Sequence, residues 1–185
     1  MEKYIALLRG INVSGQKKIK MTDLKNLFEE LSFKNVQTYI QSGNVLFTSK
    51  SSNRKAIRTK IENKILTKFG YKVAVILKTP DELKQAINRN TFLKDKKKND
   101  ERIYFTFLSE KPFHSDIKML KDINLAPEQF IFDADVIYLY LPNSAGKAKL
   151  NNNFFEMKLE VIATTRNYKT VETLCTLSDE KPVKE

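Results

Sequence analysis

The sequence predicts an α+β protein made of two ferredoxin-like lobes, each with the element order βαββαβ, packed into one compact body. The first observation is that short β-prone runs and one-sided helical patterns occur in the same order twice along the chain. The second is that residues 5–8 and 136–141 are apolar on both faces. We therefore expect the second face of each sheet to be covered, by the other lobe or by a partner subunit.

The predicted domain organisation has four parts. These are the first lobe at residues 1–79, a connecting helix and charged loop at 80–101, the second lobe with its closing helix at 102–177, and a frayed tail at 178–185.

The first lobe begins with a strand at residues 4–8. Thr22 is placed to cap a helix that runs to about residue 32, with apolar residues on one side. Residues 36–41 and 45–49 are β-prone runs, and the Ser42-Gly43-Asn44 segment between them has the composition of a tight turn. The two runs should therefore pair as an antiparallel hairpin.

The lobe is completed by a helix and a strand, and a connecting segment follows. The helix begins near Asn53, carries apolar residues at four-residue intervals and stops at Gly70, and residues 73–77 form the strand. Thr79 is placed to cap the connecting helix. Residues 94–100 are polar and charged, which indicates a solvated surface segment or, as the alternative, a basic binding loop.

The second lobe repeats this order without evident identity between the halves. Its strands are predicted at residues 102–108, 130–132, 136–141 and 161–165, and its helices at 115–123, 153–159 and 168–177.

Composition indicates a globular chain of 185 residues without a membrane segment. Its hydrophobic fraction of 41% can form an ordinary core, and it contains neither an apolar run long enough to span a bilayer nor a secretory signal pattern. We therefore expect a cytoplasmic location. The single Cys175 fits a reducing compartment and is expected to be a small buried hydrophobe, because it lies on the apolar side of a predicted helix.

The net charge of +11 favours acidic partners. Most of the basic residues are lysines, so the charge indicates either a solvated surface or a nucleic-acid footprint. Nucleic acid is an alternative also because βαββαβ is the order of the RNA-recognition module, although that module's sequence signature is absent. Tyr104, Tyr138 and Tyr140 could line one sheet face and either stack on bases or pack against the first lobe.

Motifs for phosphate-loop, dinucleotide and zinc chemistry are absent. One cysteine and one histidine, His114, cannot form a zinc site, so no metal site is assigned, and no cofactor is assigned either. Asp133 and Asp135 leave a third alternative, a metal-dependent enzyme of phosphoryl chemistry, although an ordinary turn explains both residues.

A set of polar and basic side chains lies at predicted strand ends, turns and flanking loops. They are Arg9, Asn12, Lys20, Gln41, Ser42, Asn44, Lys149, Arg166 and Asn167. The leading hypothesis is a basic cleft between the lobes for a small phosphorylated or carboxylated ligand, with Arg9 and Arg166 as anion clamps and the amide and hydroxyl groups orienting the ligand or the loops. Alternatively, the amides satisfy turn backbone and the arginines pair with acids.

Several of these residues lie in sequence segments that resemble a known protein family. The segments Arg9-Gly10-Ile11-Asn12-Val13, Tyr39-Ile40-Gln41-Ser42-Gly43-Asn44-Val45 and Thr164-Thr165-Arg166-Asn167-Tyr168, with Asn153-Phe154-Phe155-Glu156, resemble bacterial proteins known as domain of unknown function 1697. The resemblance spans nearly the whole chain. Ser14 stands where glycine is common in that family, and Tyr168 where tryptophan is common. The resemblance implies two ferredoxin-like lobes in one α+β body and no established activity.

Overall fold

A computed structural model describes residues 1–13, 15–121 and 123–180 of the chain. Within these residues the protein is a mixed α+β structure with two four-stranded antiparallel sheets and six α-helices. The chain divides into two compact units, Met1–Leu83 together with the chain from Leu174 onward, and Lys84–Thr173. The lobe boundaries given by the sequence remain predictions. None of the described helices is long and apolar enough to cross a membrane.

The first unit has the element order that the sequence predicts. Its elements are β1 (Glu2–Leu8), α1 (Met21–Glu30), β2 (Lys34–Tyr39), β3 (Asn44–Ser49), α2 (Arg54–Phe69) and β4 (Val75–Lys78). The strands lie in the order β2-β3-β1-β4, and each neighbouring pair is antiparallel. The predicted hairpin of β2 and β3 is therefore confirmed.

The ends of α2 follow from side-chain chemistry, whereas the start of α1 does not. Asn53 Oδ1 accepts a hydrogen bond from Ala56 N at 3.0 Å, and Gly70 closes α2 with a left-handed φ of 73°. The prediction that Thr22 caps α1 is wrong. Thr22 lies inside the first turn, and the N-cap position is taken by Lys20, whose side chain makes no capping hydrogen bond.

The connecting segment starts with α3 (Pro80–Arg89), followed by two short 3₁₀ turns at Thr91–Lys94 and Asp100–Arg102. Thr79 caps α3 as predicted, since its Oγ1 accepts from Glu82 N at 3.3 Å. Glu82 Oε2 in turn accepts from Thr79 N at 2.7 Å, which completes a reciprocal capping box.

The second unit repeats the order of the first. Its elements are β5 (Ile103–Leu108), α4 (His114–Lys121), β6 (Gln129–Asp133), β7 (Val136–Tyr140), α5 (Asn152–Leu159) and β8 (Ala163–Asn167), followed by α6 (Tyr168–Asp179), whose last part belongs to the first unit. The strand order is β6-β7-β5-β8, again with antiparallel neighbours.

Two predicted boundaries near the end of the chain are wrong. The last strand extends to Asn167 because this residue still pairs with Tyr104 of β5. The Oδ1 atom of Asn167 also accepts from Thr170 N and caps α6. The α6 helix then continues to Asp179, into the segment predicted as a frayed tail. The rest of that segment, residues 181–185, lies outside the described residues.

The central strands of each sheet are buried on both faces, as the apolar runs predict. In the first unit Tyr4, Ala6 and Leu8 pack with α1 and α2, and Ile5 and Leu7 on the opposite face are also fully buried. In the second unit both faces of the central strand β7 are likewise buried over Val136–Leu139. Such burial explains why these strands do not alternate between apolar and polar residues.

Candidate functional site

One end of the first sheet brings together three connecting segments. Leu8 N, at the end of β1, donates to Gly43 O at 2.9 Å, and Arg9 N donates to Ala74 O at 2.9 Å. These bonds join the loop after β1 to the β2–β3 turn and to the segment before β4. We call the loop from Gly10 to Lys20 the basic loop.

Asn12 holds the basic loop in place. Its Nδ2 donates to Ile19 O and to Gln41 O, both at 2.9 Å, and its Oδ1 accepts from Ile19 N at 2.8 Å. The residue has a φ of 55°, in the left-handed region that asparagine tolerates better than most residues. One side chain therefore closes the basic loop on itself and ties it to the β2–β3 turn.

The backbone of the basic loop reverses direction several times. Gly10, Gly15 and Lys17 also have positive φ values of 69°, 77° and 44°. Two backbone N–H groups of the loop donate within it, Asn12 N to Lys17 O at 3.2 Å and Gln16 N to Val13 O at 2.9 Å. The loop conformation is therefore held by its own hydrogen bonds.

The buried end of the β2–β3 turn is held by Asn44 and by the close approach of Gly43 to Ile11. Asn44 is fully buried, and its Nδ2 donates to Tyr39 O at 3.0 Å and to Ser42 Oγ at 3.1 Å. Gly43 has a φ of 77°, and a Cβ atom there would lie 2.6 Å from Ile11 Cδ1. Of the two roles predicted for Asn12 and Asn44, these contacts fit the orienting of loops.

Basic side chains surround this end of the sheet. Lys18 and Lys20 are exposed, and Arg9 is half-buried. Lys17 Nζ donates to Lys72 O at 2.9 Å, so Lys72 also lies nearby. Lys72 was not among the residues predicted for the site, and it carries no local sequence signal because 55 residues separate it from its partner.

The N-terminus of α1 adds to this positive environment. The helix follows the basic loop directly and has no side-chain cap, since Lys20 supplies none. The first backbone N–H groups of a helix lack intrahelical partners and lie at the positive end of its dipole. Both the loop and the helix therefore favour negative charge here, and Asp23 in the first turn of α1 already supplies one carboxylate. The exposed Gln41 and the half-buried Ser42 lie in the turn to which Asn12 is bonded.

Three predicted site residues lie in the second unit. Arg166 is 6% exposed, and its Nη1 donates to Thr164 Oγ1 and Thr165 O, both at 2.9 Å. Asn167 caps α6, and the exposed Lys149 donates its backbone N–H to Glu128 Oε1 at 2.9 Å. Their roles as ligand contacts remain predictions.

The three tyrosines do not share a face. Tyr138 is 1% exposed, and its hydroxyl donates to Asp133 Oδ2 at 2.7 Å; burial, with this bond, raises the pKa of the Tyr138 phenol well above its usual value. Tyr104 pairs with Leu139 and packs with the helix-side core, so the prediction of a shared face is wrong for this residue. The buried Tyr138 packs edge-on against Phe105.

Among the described residues, no group of three or more His, Cys, Asp or Glu side chains could hold a metal ion. Asp133 instead accepts from Tyr138 and lies 3.7 Å from Arg89 Nη1. His114 is exposed at the start of α4, and Cys175 is 8% exposed, which confirms that it is buried. Ser14, one of the two departures from the family pattern, lies outside the described residues.

Comparisons with known proteins agree with the resemblance. The family model described as "Protein of unknown function (DUF1697)" matches residues 1–138. A comparison with curated proteins finds no match. Among solved structures, a conserved bacterial protein, SP0830 from Streptococcus pneumoniae, is similar with a TM-score of 0.76 and 23% identity, covering 97% of this chain and 99% of that chain. At this identity the similarity shows a shared fold.

Proposed function

We propose that this chain, which belongs to the DUF1697 family of proteins of unknown function, binds a small phosphorylated or carboxylated ligand at the basic loop of its first unit. The observation that carries the proposal is that Asn12 anchors a loop with exposed lysines directly before a helix N-terminus without a side-chain cap. Helix N-termini bind phosphate and carboxylate groups. Lys18, Lys20 and Arg9 would supply the opposing charge.

The contacts separate residues that position the loop from residues that would contact the ligand. Asn12 and Asn44 position the loop and the turn, because their amides bond to backbone and to Ser42. Gln41 and the exposed loop lysines, Lys18 and Lys20, would contact the ligand. Participation of Lys149, Arg166 and Asn167 in a cleft between lobes remains a prediction, as does a cytoplasmic location.

The test uses inorganic phosphate and pyrophosphate as probes. Backbone amide shifts measured by NMR during titration should be largest in the basic loop and the first turn of α1, residues 10–23. The double variant Lys18→Ala/Lys20→Ala should weaken binding about tenfold, since two charge-assisted contacts are lost. The matched control is Lys50→Ala/Lys55→Ala, which removes the same charge from exposed lysines of the same unit. Equal weakening by both pairs would overturn the proposal.

Nucleic acid remains the competing partner class, because the chain has a net charge of +11. Binding through many phosphate contacts gives a steep dependence of affinity on salt concentration. A steep salt dependence for generic RNA or DNA that is the same for both double variants would favour the alternative. Weak binding to RNA and DNA, together with phosphate binding that the Lys18→Ala/Lys20→Ala variant weakens and the control variant does not, would favour the proposal.

We also infer that each unit is a ferredoxin-like lobe. The support is the strand order, in which the first and third strands of each unit lie between its fourth and second strands, all antiparallel. Equivalent backbone bonds support the same inference: Leu108 N donates to Asp135 O and Ser109 N to Ile162 O, as Leu8 N and Arg9 N do in the first unit. The packing of both lobes into one body remains a prediction.

A further inference from the structure

The outer strand β6 of the second sheet differs from the other sheet edges. Each sheet has two edge strands, β2 and β4 in the first and β6 and β8 in the second. All residues of β4 are buried, as are most of β8. The β2 strand is exposed but has a register shift between Lys34 and Gln37, and bulges and edge lysines are devices that prevent edge-to-edge pairing. No such device interrupts β6.

The β6 strand is regular, apolar and accessible. All five residues from Gln129 to Asp133 pair in unbroken register with β7, and Ile131 is 37% exposed. Within the part of the chain that is described, no further strand pairs with β6, and no loop backbone bonds to Phe130, Ile131 or Phe132. A groove of about 450 Å³ runs beside it, lined by Ile123, Leu125 and the strand itself. Such an edge is a template for another strand.

The hairpin determines which backbone groups point away from β7. Asp133 and Val136 flank a two-residue turn and form the hydrogen-bonded pair that closes it. Because bonded and non-bonded pairs alternate along an antiparallel ladder, Phe130 and Phe132 direct their N–H and C=O groups outward. An added antiparallel strand must therefore bond to these two residues.

We propose that the occupant of this edge is β6 of a second copy of the chain, paired antiparallel about a two-fold axis at Ile131. This register places Phe130 of each copy opposite Phe132 of the other, so that the outward-facing groups on both strands bond to each other. Ile131 meets its own copy across a non-bonded pair, where side chains approach most closely. Gln129 lies opposite Asp133 of the other copy.

Complementary polar side chains at the two ends of β6 favour this occupant. Lys98 Nζ donates to Gln129 Oε1 at 2.8 Å, so the amide Nε2 of Gln129 is the hydrogen-bond donor at one end of the strand. Asp133 gives the other end a carboxylate on the same face, 3.7 Å from Arg89. Antiparallel pairing of two copies brings the Gln129 amide of each opposite the Asp133 carboxylate of the other.

The first test is the oligomeric state of the full chain, measured by sedimentation equilibrium over a wide range of protein concentration. The parent protein should dimerise, and Ile131→Lys should raise the dimer dissociation constant by about tenfold or more, because two lysines would meet at the axis. The matched control Ile162→Lys changes an isoleucine that is 40% exposed and lies outside β6, and it should dimerise like the parent. A monomeric parent, or a dimer unaffected by Ile131→Lys, would overturn the proposal.

The second test reports the register of the two β6 strands and does not require a variant that weakens the dimer. In a Cys175→Ser background, which removes the native thiol, Ile131→Cys should form a covalent dimer on mild oxidation with oxidised glutathione. Directly opposed residues of an antiparallel pair lie within the Cα separation that a disulfide spans. Ile162→Cys in the same background should stay monomeric on denaturing gels. Failure of Ile131→Cys to cross-link in a protein that still dimerises would exclude this register.

Discussion

The Asn12 side chain bonds to the backbone of Gln41, 29 residues away, at 2.9 Å. The same amide also bonds Ile19 through both its nitrogen and its oxygen. This contact makes the basic loop and the β2–β3 turn a single structural element. The stability of that element can be tested apart from any ligand.

Asn12→Ala should lower the free energy of unfolding by about 1–3 kcal/mol, because backbone groups of Ile19 and Gln41 lose their partner. Urea unfolding measures the change. Asn88→Ala, at an exposed position of α3, serves as the control and should change stability by about 0.5 kcal/mol at most. Similar changes in both variants would contradict the anchoring role of Asn12.

Gly43→Ala should destabilise the protein more than Gly70→Ala. Both glycines have a φ near the left-handed value, 77° and 73°, so alanine costs about 1–2 kcal/mol at either position. At Gly43 the new Cβ would also lie 2.6 Å from Ile11 Cδ1, whereas at Gly70 no atom lies within 4 Å. Thermal and urea unfolding of the two variants would measure the cost of the steric clash at Gly43 separately from the cost of a left-handed alanine, which both variants share. Equal losses would mean that Ile11 moves aside without cost.

Tyr4 should make stability depend on pH at alkaline values. Burial, together with its bond to the Glu2 carboxylate, raises the pKa of Tyr4 to about 12. A phenol whose pKa is higher in the folded state stabilises the protein below a pH of about 10 and loses that contribution as the pH rises towards 12, at a rate of about 1.4 kcal/mol for each pH increment of one. Between these values the parent should lose stability faster than Tyr4→Phe. Parallel pH profiles of unfolding free energy would contradict this expectation.

Glu82 should contribute to stability in the opposite pH range. Burial favours its neutral form, but the Arg54 guanidinium at 2.7 Å and the Thr79 backbone N–H hold the pKa of Glu82 below its usual value. The contribution of Glu82 to folding stability is therefore complete at pH values above its pKa in the unfolded state. It is lost as the pH falls through the pKa of Glu82 in the folded state. Glu82→Gln should cost about 1 kcal/mol at neutral pH and less in acid. Glu29→Gln, in an exposed pair with Lys25, is the control and should have little effect at either pH.

Local signals in the sequence explain which parts of the fold could be predicted. The ends of α2 follow from Asn53 and Gly70, whose chemistry acts within a few residues. The start of α1 could not be predicted in this way, because Lys20 occupies the N-cap without a capping bond. The prediction for Tyr104 is wrong because a strand alternates with a period of two, so the face that this residue occupies depends on its pairing with Leu139.

The candidate site shows the same division between local and distant causes. The glycines and lysines of the basic loop are recognisable because they are contiguous in sequence. The tie from Asn12 to Gln41 and the position of Lys72 depend on tertiary contacts over 29 and 55 residues, for which a single sequence carries no signal.

The first unit is discontinuous in sequence. Its last segment, from Leu174 onward, follows the whole of the second unit along the chain, and Lys3 Nζ bonds to Ser178 O across that interval. During translation the ribosome therefore makes the second unit complete before it makes the residues that finish the first. The core of the first unit contains residues between Tyr4 and Leu77 and can form before then, but Leu177 and its neighbours are still missing from the cavity that they line beside β2 and β3. In a nascent-chain experiment, the protease resistance of the first unit should therefore rise a second time once residues 174–180 have left the ribosome.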